Sequence, residues 1–279
     1  MASVLVTGGS GFIGTHLCKQ LHSSGYHVLS LDVNHDSEHP WECISADVRS
    51  QIDLEGIDFV VHLAAQISVA ASLEDPDHTL SVNVDGTASV ITAAEEGLVK
   101  RLIFASSAAV YGDAEQIPIP EGAPLTPQSP YAVSKIVGEE LCRRSKIETC
   151  AMRFFNVYGE GQSAAGGYAA VIPAFKSAIS QGEIPKVFGD GTQIRDFIHV
   201  EDLAAIIVAA LEIEDLPPEM NLASGTGTSL LQLLDTLGAE KAEFMDERPG
   251  DIHTSIADVS LMQQVFPDIA VREIEEGLS

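Results

Sequence analysis

Positive charge is scarce in this 279-residue chain: 15 Lys and Arg stand against 41 Asp and Glu, a net charge of −26. A surface this acidic repels phosphate backbones and anionic headgroups, so nucleic acid and membrane surfaces are excluded as partners. Long hydrophobic runs are also lacking. Charge interrupts every window of membrane-spanning length, and no membrane helix is expected. The N-terminus, MASVLVTGG, has no basic segment ahead of its apolar residues and no cleavage site, so it carries no secretory signal and a cytoplasmic setting is expected. Cysteine is sparse: Cys18, Cys43, Cys142 and Cys150 form no CxxC pair and no zinc spacing, which leaves reduced thiols and no metal site. The densest histidine patch, His35-Asp36-Ser37-Glu38-His39, reads as a solvated polar loop. Internal repeats, low-complexity tracts and long linkers are absent.

What is present is 45% hydrophobic residues, enough for a sizeable core, arranged in alternating short apolar runs and helical periodicities. A strand over Ser3–Thr7 meets a Gly-rich turn and a helix over Phe12–Ser23. Further strands are predicted over 27–31, 57–63, 101–105 and 149–155, with helices over 77–97 and 130–145 between them. Strand–helix alternation of this kind predicts an α/β fold, a Rossmann doubly wound parallel sheet. After Tyr158 the texture changes to Gly-rich loops, shorter helices (about 170–181, 201–213 and 228–238) and short strands. The expected division is a dinucleotide-binding domain over 1–158 and a smaller C-terminal α/β lobe, mostly for substrate, over 159–279.

The first turn reads Thr7-Gly8-Gly9-Ser10-Gly11-Phe12-Ile13-Gly14. Gly8, Gly11 and Gly14 let the backbone approach a pyrophosphate, and the helix opening at Phe12 and Ile13 offers free N–H groups at its positive dipole end. Asp32 closes the second strand. A carboxylate there accepts both ribose hydroxyls of an adenosine and repels a 2′-phosphate, which selects NAD over NADP. Asp47 and Val48 follow the next strand, where the adenine would lie, and Leu63, Ala64 and Ala65 supply the small residues that a close cofactor approach needs.

Tyr131 and Lys135 stand four residues apart, on one face of a helix. An ammonium beside a phenol favours the phenolate and is expected to lower the Tyr131 pKa, making a general base. Ser106 and Ser107 end the strand before it, at the carboxyl edge where parallel sheets bind ligands, and either can hydrogen-bond a substrate hydroxyl. Any anionic ligand needs cations in this acidic chain. Arg195 and Arg248 lie in Gly-flanked loops, where Arg can clamp phosphate oxygens, with Asp251 placed to accept ribose hydroxyls; surface ion pairs explain either Arg alone equally well.

Taken together and in order, TGGSGFIG, DV, ADV, HLAAQ, SSAAVYG, SPYAVSK, RFFNVYG, VFGDGTQIRDFIHVEDLA, NLASG and RPGD resemble the extended short-chain dehydrogenases/reductases, in their nucleotide-sugar epimerase/dehydratase group, over nearly the whole chain. The resemblance implies Ser107, Tyr131 and Lys135 as the catalytic set, Lys135 also holding the nicotinamide ribose. It implies Asn83 as a cofactor-side residue, Phe154 and Phe155 at the nicotinamide end, and Asn156 on the substrate diphosphate. Val171, Val187 and Phe188 belong to segments that enclose a uracil ring, and Arg195, Arg248 and Asp251 to those that hold the nucleotide. It further implies a homodimer pairing the Tyr131 helix with the one near 85–97; Val133, Val137 and Leu141 form an apolar stripe there, which core packing explains equally well. The chain closes at Glu275-Glu276-Gly277-Leu278-Ser279, where such proteins usually continue with one more helix.

Within that family the residues after the active-site Ser separate the chemistries. Dehydratases carry Asp-Glu there, and many decarboxylases a Glu. This chain has Ala108 and Ala109, which transfer no protons, and it lacks the Cys and His of the 3,5-epimerase branch. What the resemblance leaves is NAD-dependent 4-epimerisation of a UDP-sugar through a 4-keto intermediate. UDP-glucose and UDP-galactose are the first expectation, and Ser255, where some members have a bulky Tyr, leaves room for the N-acetylhexosamine pair. The alternatives are a UDP-glucuronate 4-epimerase or decarboxylase and, outside enzymes, a dinucleotide-sensing scaffold, against which the retained Tyr and Lys speak.

Overall fold

The computed structural model describes the whole chain except residues 36–38, 165–169 and 248–251. In chain order the first half runs β1 (Ser3–Thr7), α1 (Phe12–Ser23), β2 (His27–Asp32), β3 (Glu42–Ser45), β4 (Phe59–His62), α2 (Val69–Glu74), α3 (Pro76–Leu80), α4 (Gly86–Glu96), β5 (Arg101–Ser107), α5 (Pro130–Arg144) and β6 (Glu148–Phe154). The second half runs β7 (Asn156–Tyr158), α6 (Val171–Ser180), β8 (Lys186–Phe188), β9 (Ile194–His199), α7 (Val200–Ala210), β10 (Glu219–Leu222), β11 (Gly227–Ser229), α8 (Leu230–Thr236), β12 (Glu243–Met245), β13 (Thr254–Ser255), α9 (Ser260–Val265) and α10 (Ile274–Leu278).

The main sheet has seven strands in the order β10-β6-β5-β4-β1-β2-β3, and every pairing in it is parallel. Because both faces are covered by helices, the inner strands read as near-continuous apolar runs: all of β1 and β4 is buried. Strand order reverses between β1 and β4, and the crevice outside their carboxyl ends is where such sheets bind ligands. A four-stranded sheet of β7, β9, β11 and β13 and a two-stranded pair of β8 and β12 form the second layer. Its core gathers Tyr158, Phe175, Val187, Phe197 and Leu233.

The chain does not stay on one side of residue 158. β10 pairs with β6 and completes the main sheet, and α7 packs against α1. The reason is burial: Ile206, Ile207, Met220 and Leu222 are at most 1% exposed, in the same core as Val4, Val6 and Leu17. The helix predicted over 77–97 is continuous from Pro76 to Glu96, but a π turn, Ser81–Asp85, interrupts it. Among the described residues no helix is long and apolar enough to cross a membrane, and no group of three or more His, Cys, Asp or Glu is placed to hold a metal ion. On α5, Val133 is 40% exposed, while Leu141 packs against a core cluster.

Candidate functional site

The Gly-rich turn is built for close approach. Gly8 has φ +71°, and a Cβ on it would lie 2.8 Å from the Ala64 nitrogen; one on Gly14 would lie 2.1 Å from the Gly8 carbonyl oxygen. No side chain caps α1, so its first amide groups are left for an anion. Asp32 stands at the rim, its carboxylate accepting from the Ser10 amide at 3.1 Å and the Asn34 amide at 3.2 Å. Asp47 pairs with Arg49 at 2.6 Å, and the guanidinium beside it pulls its carboxyl down to about 2.

These residues line a cavity of about 640 Å³ at the β1/β4 switch point. Gly8, Gly11, Phe12, Ile13, Gly14 and Asp32 lie along one side of it, Asp47 and Val48 beyond, and Leu63, Ala64 and Ala65 form a wall. Ser106, Ser107, Tyr131, Lys135, Phe154 and Phe155 line it as well. A cradle that any Cβ would fill, uncapped helix amides and a carboxylate at the rim fit NAD.

At the reaction end α5 begins on Ser129, which caps it by accepting from the Ala132 amide, with Pro130 at its first position. This start puts Tyr131 and Lys135 on the cavity face. The Ser107 hydroxyl is the neighbour that pulls the Tyr131 phenol down. The Lys135 ammonium lies 5.7 Å from the centroid of the Tyr131 ring and donates to the Ala105 carbonyl at 2.7 Å. The expected lowering of the Tyr131 pKa is not what this geometry produces: burial pushes it up, and the Ser107 hydroxyl only pulls against that. Burial drives Lys135 down to about 8. In both groups desolvation of the charged form outweighs the neighbours.

Asn83 stands behind the wall. Its amide nitrogen donates to the Gln66 carbonyl and to Ser134 Oγ, and its oxygen accepts from the Gln66 amide. Ser106 lines the cavity and donates to Glu139 Oε1 at 2.5 Å.

Among the described residues, Asn156, Val171, Val187, Phe188 and Arg195, expected on the substrate side, do not line this cavity, whereas Ser107 and Tyr131 do. Asn156 donates to the Asp196 carbonyl at 3.0 Å, tying β7 to β9. Val187 is fully buried in the second-layer core, against which Val171 packs; Phe188 is half-buried on β8. Arg195 Nη1 donates to the carbonyls of Ile194 and His253. Ser255 pairs with Arg195 between β13 and β9. Arg248, Asp251 and Tyr168 lie outside the described residues.

Sequence reasoning missed Arg49, Gln66, Ile67, His78 and Val157, which also line the cavity. Gln66 was within reach, as the end of the quoted HLAAQ. It also missed the buried Glu139–Arg153 pair, although Glu139 follows Lys135 at the same four-residue spacing as Lys135 follows Tyr131.

Residues 4–223 match the family model described as the NAD dependent epimerase/dehydratase family. A UDP-glucose 4-epimerase of Mycolicibacterium smegmatis is 33% identical, over 96% of this chain and 95% of that protein. Among solved structures, the UDP-N-acetylglucosamine 4-epimerase of Methanobrevibacter ruminantium M1, in complex with UDP-N-acetylmuramic acid, superposes with a TM-score of 0.91 at 34% identity, over 99% of this chain and 96% of that one. An NAD-dependent NDP-hexosamine 5,6-dehydratase, TunA, superposes with a TM-score of 0.89 at 31% identity, over 99% of this chain and 95% of that one.

Proposed function

The chain belongs to the NAD dependent epimerase/dehydratase family, and from that premise we propose that it is a UDP-sugar 4-epimerase acting first on UDP-glucose and UDP-galactose. The observation that carries this reading is the convergence of Ser107, Tyr131 and Lys135 at one cavity that also holds the glycine turn and Asp32, with Ala108 and Ala109 next along the chain. Overall shape does not separate the reactions, since a dehydratase superposes almost as well as an epimerase. The two alanines favour epimerisation: elimination needs an acid and a base beside the sugar, and these methyl groups move no proton.

The glycine turn and Asp32 would hold NAD, which would supply hydride-accepting and hydride-donating chemistry at the sugar C4. Tyr131 Oη, as phenolate, accepts the proton of the 4-hydroxyl and gives it back when the carbonyl is reduced on its other face. Ser107 Oγ, lining the cavity with Tyr131, holds the same sugar oxygen and orients the proton. Lys135, whose ammonium lies 5.7 Å from the centroid of the Tyr131 ring, holds the nicotinamide ribose. Arg195, with Arg248 and Asp251, holds the nucleotide while the 4-keto sugar turns over. The N-acetylhexosamine pair is a second substrate reading, favoured by the small Ser255 and by similarity to a UDP-N-acetylglucosamine 4-epimerase.

The test is to incubate the purified protein with each UDP-sugar pair and with UDP-glucuronate. Interconversion of glucose and galactose is expected. An unsaturated or decarboxylated product, or turnover of the uronate alone, would sink the proposal. Replacing Asp32 by Ala is expected to weaken NAD about tenfold or more, the loss of charge-assisted hydrogen bonds, and to erase discrimination against NADP. Equilibrium titration of both nucleotides checks it.

Lys135 yields a prediction of opposite sign for stability and for turnover. Its side chain is buried, and its pKa falls from 10.5 to about 8. The folded state therefore binds fewer protons than the unfolded state between those values, and stability rises with pH across that window. Below about 8 the ammonium stays charged and buried at full cost. Lys135→Met keeps the volume and removes that charge. It is expected to raise Tm by a few degrees at neutral pH, with the gain fading toward pH 10.5, while turnover is lost. Paired melting curves at pH 7 and pH 10 decide it.

A further inference from the structure

His62 ends β4, one residue before the cavity wall, and is 1% exposed. Both ring nitrogens are bonded: Nδ1 lies 2.7 Å from Thr7 Oγ1 and Nε2 lies 3.0 Å from Thr87 Oγ1. The partners settle which nitrogen holds the proton. A hydroxyl has one hydrogen to give, and Thr87 gives its own to the Asn83 carbonyl at 2.6 Å. The Thr87 oxygen must therefore accept, so His62 Nε2 carries the hydrogen. Nδ1 is then a lone pair, and Thr7 donates to it. That leaves the Thr7 oxygen to accept, which it does from the Ala64 amide at 3.2 Å.

Each end of this chain of bonds reaches one side of the NAD cleft. Ala64 is the wall residue against which Gly8 packs so closely that a Cβ there would lie 2.8 Å from its nitrogen. On the other side, Asn83 holds Gln66 at both its amide and its carbonyl and donates to Ser134 Oγ at 2.9 Å. Ser134 in turn donates to the backbone carbonyl of Tyr131 at 2.7 Å. We propose that His62, as the neutral Nε2–H tautomer, is a positioning residue that sets the two sides of the cleft relative to each other: the phosphate wall through Thr7, and the first turn of the Tyr131 helix through Thr87 and Asn83. Burial supports the neutral form, holding the imidazole down to about 3, so the ring does not charge in the physiological range. His62 touches neither cofactor nor reacting atoms and acts only through its partners.

The two arms can be cut separately. His62→Gln carries an amide nitrogen near the Nε2 position but has no acceptor for Thr7. His62→Asn offers an acceptor near the Nδ1 position but no donor for Thr87. The Gln variant is expected to bind NAD about tenfold more weakly with kcat within about twofold of normal at saturating NAD. The Asn variant is expected to lose about tenfold in kcat with the NAD Kd within about twofold. Equal losses in both variants, or a drop in Tm with neither Kd nor kcat moved, overturn the proposal. Where a variant does not fold, nitrogen-15 spectra of the unmodified holoenzyme decide: one Nε2–H tautomer unchanged from about pH 6 to about pH 9 is expected, and an Nδ1–H tautomer or a titrating ring refutes it. The kcat arm rests on Tyr131 as the base; the NAD and spectroscopic arms do not, so failure of that reading is distinguishable from failure of this one.

Discussion

Replacing Tyr131 by Phe is expected to lower kcat about a hundred- to ten-thousand-fold, the usual worth of a positioned acid–base group, while NAD stays bound and KM for the UDP-sugar stays within a few-fold. The substitution keeps the half-buried ring and removes only the hydroxyl. The neighbouring Ser107 hydroxyl accepts from the Ala109 amide at 3.2 Å, so the strand end does not collapse. Loss confined to kcat is the signature of a group used in the transition state and not in ground-state binding. The pH profile adds a second readout. Burial holds the Tyr131 pKa above its ordinary value, and the phenolate is the working form. Activity therefore rises with pH on the acid side, and that limb should vanish from the residual rate of the variant. Unchanged turnover in Tyr131→Phe removes Tyr131 from the mechanism.

The parts of this site that sequence made legible are local ones. Gly8, Gly11 and Gly14 fall within one turn, and Tyr131 and Lys135 within one helical turn, so spacing alone places them. Asp32 and Ser107 end strands, and in a parallel sheet strand ends converge at one edge. What stayed hidden depends on tertiary burial or on pairing at long range. The direction of the Tyr131 pKa shift is set by desolvation, which no spacing reveals. β10 is a four-residue strand that joins β6 across more than sixty residues of chain, and its short mixed sequence, Glu219-Met220-Asn221-Leu222, does not say which sheet it joins. Asn83 has a sequence position that resembles a cofactor-side residue, yet its side-chain bonds go to Gln66 and Ser134. Arg195 reads as a phosphate clamp from its loop, and its carbonyl partners come from β9 and from His253, far along the chain.

Arg153→Met is expected to cost about 3–5 kcal/mol, because it strands a buried carboxylate, and so to lower Tm by roughly 10 °C in a chain of this size. Arg153 and Glu139 are 2% and 3% exposed. The guanidinium gives Nε and Nη2 to the two oxygens of Glu139, at 2.9 and 2.7 Å, and Nη1 to Tyr111 Oη and the Glu121 carbonyl, at 2.9 and 2.7 Å. Without it, among the described residues Glu139 keeps only the Ser106 hydroxyl. Tyr111 passes the network on to Asn221 at 2.6 Å, which sits on β10. The pair thus binds the Tyr131 helix, β6 and β10 into one unit. Ser106 hangs from the same carboxylate and lines the cavity beside Ser107, so NAD affinity should fall along with stability. A double variant, Glu139→Leu with Arg153→Met, removes both charges together. It is expected to unfold at higher denaturant than Arg153→Met alone, since an apolar pair carries no stranded charge. If the single variant loses less than about 1 kcal/mol, the pair behaves as a surface bridge does and the tie between α5 and the main sheet lies elsewhere.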